Sequence, residues 1–365
     1  MSDSPTSAIE PWLETLWSQG GSDLLLSGGS SPRIRVDGKL RPVEGASVLT
    51  GEQIDEIALP LLTPGQLNIF REQLDVDFAF SWRDRARIRG SIFPQRGQTA
   101  VALRVIPARI PTFEDLGLPP AATWVSQQPR GFVLVTGPTG SGKSTTLASI
   151  IDKINVDRAA HILTIEDPVE YVHNHKTSAV SQREVGLDSP SFDRALRSAL
   201  REDPDILLIG EMRDIDSIQI ALTMAETGHL VFATLHTNDA PQAIDRIIDV
   251  FPAWRQEQTR VQLAGSLSAI IAQRLVPKIG GGMVAAFEIL IATNPVRNLI
   301  REGRSNQLAN VMFTGTKEGM QTLEYSLATL IADGIVTYED AMAVSAHPKE
   351  LIRTIDQLEI TRAKR

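Results

Sequence analysis

The spacing of apolar and polar positions changes character along the chain, and the break falls near residues 107–120. Before it, strand signals dominate. Arg33 to Val36, then Asp37-Gly38, then Lys39-Leu40 predict a hairpin, because Asp-Gly suits the type I′ turn that matches strand twist. Phe78 to Phe80, Arg85 to Ile92 and Ala100 to Ile106 predict further strands. Helices are expected over Ala8 to Gln19 and Gly51 to Gln73, which makes the segment α+β.

From Gly131 the pattern becomes short, wholly apolar runs alternating with helical spacing. Phe132 to Thr136, His161 to Ile165, Ile206 to Ile209 and Leu230 to Leu235 have the look of strands covered on both faces. Between them Phe192, Ala195, Leu196, Ala199 and Leu200 recur at helical spacing. Asp214 is expected to open the next helix, and Gly228 to follow its end. This alternation predicts a mostly parallel sheet with helices on its faces, and the stretch from Asn294 reads as helices. Four prolines, 107, 111, 119 and 120, mark the passage between the two patterns. The expected organisation is therefore a domain over 1–107, a linker over 108–120 and a second domain over 121–365.

Composition narrows this picture modestly. The 365 residues suit two to three domains, and 42% hydrophobic with 22% charged residues excludes wholesale disorder. The absence of cysteine excludes a disulfide framework, a thiolate zinc site and a cysteine nucleophile. Acid is spread over both parts of a chain of net charge −8, which argues against a basic nucleic-acid module. The amino-terminal residues are polar and acidic, unlike a signal peptide. The longest apolar stretch, Met283 to Ala292, is broken by Glu288 and falls short of the roughly 20 residues of a membrane span. A soluble, cytoplasmic protein is expected.

Chemistry enters at Gly137-Pro138-Thr139-Gly140-Ser141-Gly142-Lys143-Ser144, a full G-x-x-x-x-G-K-[ST] match followed by Thr145. Glycines let successive backbone N–H groups point inward at phosphate oxygens, and a following helix adds its positive dipole end. Lys143 is then expected on the β/γ-phosphates and the Ser144 hydroxyl on Mg²⁺. An apolar strand precedes the loop and Thr145 to Ile154 can form the helix, as the motif requires.

Such a site needs carboxylates near the metal and the attacking water. Ile206 to Ile209 followed by Gly210-Glu211 is a Walker B strand with glycine where many P-loop proteins carry the metal-bound aspartate. Glu211 is the first choice for polarising water. Glu166, Asp167 and Glu170 follow another apolar strand; they either help hold the hydrated metal or form a solvated acidic turn. His229 and His236 flank the strand Leu230 to Leu235, and only His236 lies at its carboxyl end, where Thr234 and Thr237 could join it in sensing phosphate. A structural role is the alternative for both histidines. No two histidines lie at i, i+4 on an expected helix, which disfavours zinc. Arg83, Arg85, Arg87 and Arg89 alternate with other residues and could share one strand face. Like charges stacked this way cost energy unless anions meet them, so they either bind a phosphate-bearing ligand or pair with acidic side chains.

In this order the motifs resemble the secretion-type ATPases of type IV pili and type II secretion, and within them the pilus retraction, or twitching motility, ATPases. The resemblance runs over nearly the whole chain: Gly21 to Leu24, Ile34 to Gly38, GPTGSGKSTT, ILTIEDPVEYVH, ALREDPDILLIGEMRD, AETGHLVFATLHT, IGGGMVAAFEIL and Asn294 to Glu302. It implies a PAS-like α+β domain, a RecA-like P-loop ATPase domain and a ring-shaped homo-hexamer. Such a ring hydrolyses ATP with Mg²⁺ at the cytoplasmic face of the inner membrane, acting on a platform protein and only indirectly on the pilin fibre. By the same resemblance the functional glutamate of the acidic box aligns with Glu170, the Walker B glutamate with Glu211 and the His box with His229 and His236. Arginines that act on nucleotide in this family align with Arg87, Arg89 and Arg104, and with Arg96 as a further position. Arg297, Asn298, Leu299, Ile300, Arg301 and Glu302 match the element that separates retraction from assembly motors, with Pro295-Val296 where Ala-Ile is usual. Assembly motors usually add an N-terminal domain and a four-cysteine zinc motif. The other readings are a pilus-assembly or type II secretion ATPase, an accessory retraction subunit or nucleotide-sensing scaffold, and a RecA-like nucleic-acid translocase. The negative charge and sparse aromatics count against the last.

Overall fold

Two units, Met1–Arg109 and Ile110–Arg365, make up the chain in the computed structural model. It describes residues 6–36, 38–83, 85–107 and 109–363. Asp37 of the expected turn, Asp84 of the arginine run and Ala108 at the head of the expected linker lie outside the described residues.

The first unit runs α1 (Glu10–Ser18), β1 (Asp23–Ser27), β2 (Arg33–Val36), β3 (Lys39–Pro42), α2 (Gly51–Ala58), α3 (Pro64–Gln73), β4 (Val76–Trp82), β5 (Ala86–Gln95) and β6 (Gln98–Pro107). Its strands form one antiparallel sheet in the order β3-β2-β1-β6-β5-β4. Alternation sets the faces: on β5, Ala86, Ile88, Gly90 and Ile92 are buried while Arg87, Arg89 and Ser91 are half-buried. Leu13 and Leu16 of α1 and Ile54 of α2 join Trp82, Ile88 and Ile92 in the core. The single helix expected over Gly51 to Gln73 is two helices. Pro60 sits in a 3-10 turn over Leu59–Leu61, and Thr63 caps α3 with Pro64 in its first turn. A proline inside one long helix would have removed a backbone donor and clashed with the preceding turn.

The second unit begins with α4 (Phe113–Leu116), α5 (Pro120–Ser126), β7 (Gly131–Thr136), α6 (Lys143–Asp157), β8 (His161–Glu166), β9 (Ala179–Glu184), α7 (Phe192–Ala199), β10 (Ile206–Ile209), α8 (Ile215–Glu226) and β11 (Leu230–Leu235). It continues through α9 (Ala240–Asp249), α10 (Ala253–Ser266), β12 (Leu267–Pro277) and β13 (Met283–Ile291). Helices α11 (Asn294–Arg301), α12 (Leu308–Thr314), α13 (Leu323–Ala332), α14 (Tyr338–Val344) and α15 (Pro348–Ala363) finish it. The sheet order is β13-β12-β7-β11-β10-β8-β9, parallel from β12 to β9 with β13 antiparallel at one edge. Every residue of β7, β10 and β11 is buried, which is why these runs show no alternation.

Two local expectations change. Leu200 is not on the buried face of α7: that helix ends at Ala199, and Leu200 is 51% exposed as its C-cap. The apolar stretch Met283 to Ala292 is the edge strand β13, paired residue for residue with β12 from Ala269↔Ile291 to Pro277↔Met283. Among the described residues no helix is long and apolar enough to cross a membrane.

Candidate functional site

Parallel β7, β8, β10 and β11 deliver their carboxyl ends to one edge of the sheet, where open α/β folds place ligands. The loop after β7 turns directly into α6, whose N-cap is Gly142 at φ +86. That left-handed backbone, and a Cβ position 2.8 Å from Gln273 Nε2, leave glycine the only comfortable residue there. Lys143 Nζ donates to the carbonyls of Gly137 and Pro138 at 2.8 and 3.1 Å. Burial pulls its pKa down, while the Glu211 and Glu170 charges push it back up.

A cleft of about 400 Å³ opens beside this loop. Thr139, Gly140, Lys143 and Ser144 form one wall; Glu166, Asp167, Glu170, Glu211 and His236 form the others. Glu211 follows β10 and is held from two sides, by Arg213 Nη2 at 2.7 Å on Oε2 and by His236 Nε2 at 3.1 Å on Oε1. Partial burial pushes its carboxyl up, but the hydrogen bond and charge of Arg213, helped by His236, hold it below the usual value. Glu211 is therefore a carboxylate at neutral pH. His236 Nδ1 lies 3.4 Å from Lys143 Nζ. A neutral imidazole protonated on Nε2 satisfies both neighbours at once, donating to Glu211 and accepting from Lys143.

The glycine at the Walker B aspartate position has a structural cause. A Cβ on Gly210 would lie 3.2 Å from Ile165 O and 3.6 Å from Glu166 Cγ, so the end of β8 fills that space. Glu166 accepts from Thr164 Oγ1 at 2.7 Å, Gln182 Nε2 at 3.2 Å and the Glu170 N–H at 3.4 Å. Burial raises its carboxyl pKa against these bonds. Glu166 thus ties the acidic segment down and presents Glu170 to the cleft; the segment is not a freely solvated turn.

The structure separates the two histidines. His229 precedes β11, accepts the Gly131 N–H on its carbonyl and places Nδ1 2.9 Å from Met224 O, so it sits at the start of β7 rather than at the loop after it. Within this chain the structure does not bring His229 to the phosphate loop. Thr234 donates to Gly210 O, and Thr237 does not line the cleft.

Nor do the four arginines share a face. β5 begins only at Ala86, Arg83 has a left-handed φ of +50, and Arg83 and Arg85 turn back onto α1. Arg83 pairs with Glu10 and Glu14, Arg85 pairs with Glu14 at 2.9 Å, and both guanidinia lie under 6 Å from the Trp82 ring, at 5.7 and 5.8 Å. Arg87 and Arg89 remain on the half-buried face of β5. Arg104 stands directly across from Arg89 on β6 and donates from Nε to Asp23 at 2.8 Å. Arg96 is in the turn between β5 and β6, at φ +52.

On α11 and at its C-cap, Val296 and Ile300 are buried and Leu299 is half-buried, while Asn298, Arg301 and Glu302 are exposed. Arg297 donates to the Ala264 and Gly265 carbonyls, capping the end of α10, and burial lowers its pKa. Two neighbours of the site were missed by the sequence reading. Arg213 lies within the GEMRD run, where its two-residue spacing from Glu211 was the available clue. Gln273 lies over 120 residues beyond the loop it touches and has no local pattern.

The donor set at this cleft fits a divalent cation of the kind held mostly by phosphate and water. Ser144 offers its hydroxyl, Glu170 and Glu211 line the same cleft, and among the described residues no three ligating side chains form a closed cage.

Comparison with known proteins bears on these features. The type II/IV secretion system protein family matches residues 33–282. The type IV pilus retraction ATPase PilT of Pseudomonas aeruginosa is 49% identical over 331 residues, 91% of this chain and 96% of that one. A twitching motility protein of Neisseria gonorrhoeae is 47% identical, over 85% of this chain and 83% of its own. A crystal structure of the pilus retraction motor PilT with bound ADP superposes with a TM-score of 0.89 at 46% identity, covering 94% of this chain and 99% of that one.

Proposed function

This chain belongs to the type II/IV secretion system protein family, and from that premise we infer that it is an ATP-hydrolysing motor that powers type IV pilus retraction. The observation that carries this reading is one cleft lined by Lys143, Ser144, Glu170, Glu211 and His236, at the end of a RecA-like sheet.

The loop backbone and the amino end of α6 bind the ATP phosphates, with Lys143 neutralising their charge. Ser144, with Glu170 and Glu211 acting through water, would hold Mg²⁺, which supplies electrostatic relief of charge at the transferring phosphoryl group. Glu211, kept ionised by Arg213, orients the attacking water and accepts its proton. His236 bridges Glu211 and Lys143, so it is placed to register the γ-phosphate. Arg87, Arg89 and Arg104 of a neighbouring subunit complete the charge balance. The working organisation is a domain over 1–107, a linker over 108–120 that flexes with nucleotide state, and the ATPase domain over 121–365.

We take the assembly to be a homo-hexamer, cytoplasmic and peripheral at the inner membrane, that turns a platform protein and so withdraws pilin from the fibre. The exposed residues Asn298 and Arg301 of α11, with Glu302 at its C-cap, supply the surface that commits the motor to retraction. Phosphate release from purified wild-type chain and from Glu211→Gln tests the core of the reading. It expects turnover in the wild type and loss in the variant with ATP binding kept. A folded wild-type oligomer without turnover would instead mark an accessory subunit.

A further inference from the structure

Gln273 lies on β12, a strand outside the phosphate loop, and is 3% exposed. Its Nε2 donates to the Ser141 carbonyl at 2.7 Å, and its Oε1 accepts the Thr146 hydroxyl at 2.7 Å. The two partners stand on either side of Gly142 and Lys143, so one buried amide clasps the junction between loop and helix. Its orientation is determined: the Ser141 carbonyl only accepts, so the NH₂ group must face it. The glycines at both ends of the loop are shaped against the same residue. A Cβ on Gly142 would meet Gln273 Nε2 at 2.8 Å, and one on Gly137 would meet Gln273 O at 2.3 Å.

We propose that Gln273 is a positioning residue for ATP binding, acting through the peptide unit that joins Ser141 to Gly142. That unit is planar, with its C=O and N–H pointing in opposite directions. Anchoring the Ser141 carbonyl on the β12 side therefore aims the Gly142 N–H away from β12. Thr146, itself 1% exposed, holds the other end of the amide and keeps it from rotating. Without Gln273 the Ser141 carbonyl loses its buried partner, and the peptide is free to turn to find another. The inference rests on the ATPase reading but assigns a role to a residue that need not touch nucleotide.

The test uses the purified full-length chain, wild type beside Gln273→Met, Gln273→Glu, Thr146→Val and the Gln273→Met/Thr146→Val double variant. A fluorescent ATP analogue gives affinity, phosphate release gives kcat and KM, and thermal unfolding checks the fold. Gln273→Met is expected to weaken nucleotide affinity about tenfold, the cost of a buried carbonyl left unpaired, with a smaller loss in kcat. Gln273→Glu binds weakly at pH 8 and recovers as pH falls to 6, because only the protonated carboxyl can donate to the Ser141 carbonyl. Thr146→Val shows a smaller loss, and the double variant resembles Gln273→Met. Wild-type affinity in Gln273→Met, a Gln273→Glu pH profile parallel to that of the wild type, or additive losses in the double variant would each overturn the proposal. If the Gln273 variants do not fold, unchanged affinity in folded Thr146→Val overturns it and weakened affinity supports it. A wild-type chain that binds no ATP analogue would overturn the ATPase reading instead.

Discussion

Glu288 is a titratable group within the edge of the sheet, and its ionisation sets a measurable stability difference. It lies on β13 opposite Ala272 and accepts the N–H of Ala240, the first residue of α9, at 2.8 Å. Burial pushes its carboxyl from 4.5 up to about 7; the Ala240 bond pulls it down, Asp239 and Glu324 push it further up, and Arg274 offsets them in part. At pH below 4.5 the group is protonated in both folded and unfolded chains and has no pH-dependent effect. Between 4.5 and about 7 the unfolded chain releases its proton while the folded one keeps it, so stability falls as pH rises. The whole interval corresponds to about 3 kcal/mol, fully lost above the folded pKa. Glu288→Gln keeps an oxygen for Ala240 and cannot ionise. It should match the wild type near pH 4 and exceed it at pH 8 by up to about 3 kcal/mol, or about 6 °C in melting temperature for a unit of this size. Thermal unfolding followed by circular dichroism across that range is the assay. Parallel curves for variant and wild type, or a variant less stable at pH 8, would refute the reasoning.

Glu211→Gln should lower kcat by about 10²–10⁴ with little change in ATP affinity, read by phosphate release and nucleotide titration. Arg213→Ala removes the charge that holds Glu211 down, so the acid limb of the kcat–pH profile should move to higher pH; an unmoved limb would detach Arg213 from Glu211. Lys143→Ala should abolish detectable nucleotide binding while circular dichroism still reports a folded chain. Arg83→Ala should leave ATP hydrolysis within about twofold and cost the first unit under about 1 kcal/mol, since its partners are the acids of α1 at the surface. A large loss of turnover in that variant would return Arg83 to the nucleotide.

What could be read from the chain was whatever a contiguous segment encodes. The glycine spacing of residues 137–142 and the unbroken apolar runs of β7, β10 and β11 follow from local backbone and burial demands, and they locate the phosphate loop on a parallel sheet. Features that depend on distant segments were not accessible this way. Glu10 and Glu14 lie about 70 residues before the arginines they neutralise, too far for any local pattern to pair them. The space beside Gly210 is taken up by Ile165 and Glu166, from another strand. His229 and His236 both match the family's His box, yet the strand between them carries them to opposite ends of the sheet, as their flanking positions already implied. The break at Pro60 is different: its signal was local, and the apolar spacing on either side obscured it.

The central claim is the direction of the motor's work, and counting surface pili in a strain deleted for this gene tests it most directly. Retraction predicts pili that accumulate and persist, with loss of twitching, and restoration of both by the wild-type chain but not by Glu211→Gln. A deletion strain without surface pili would contradict the account and assign the chain to assembly.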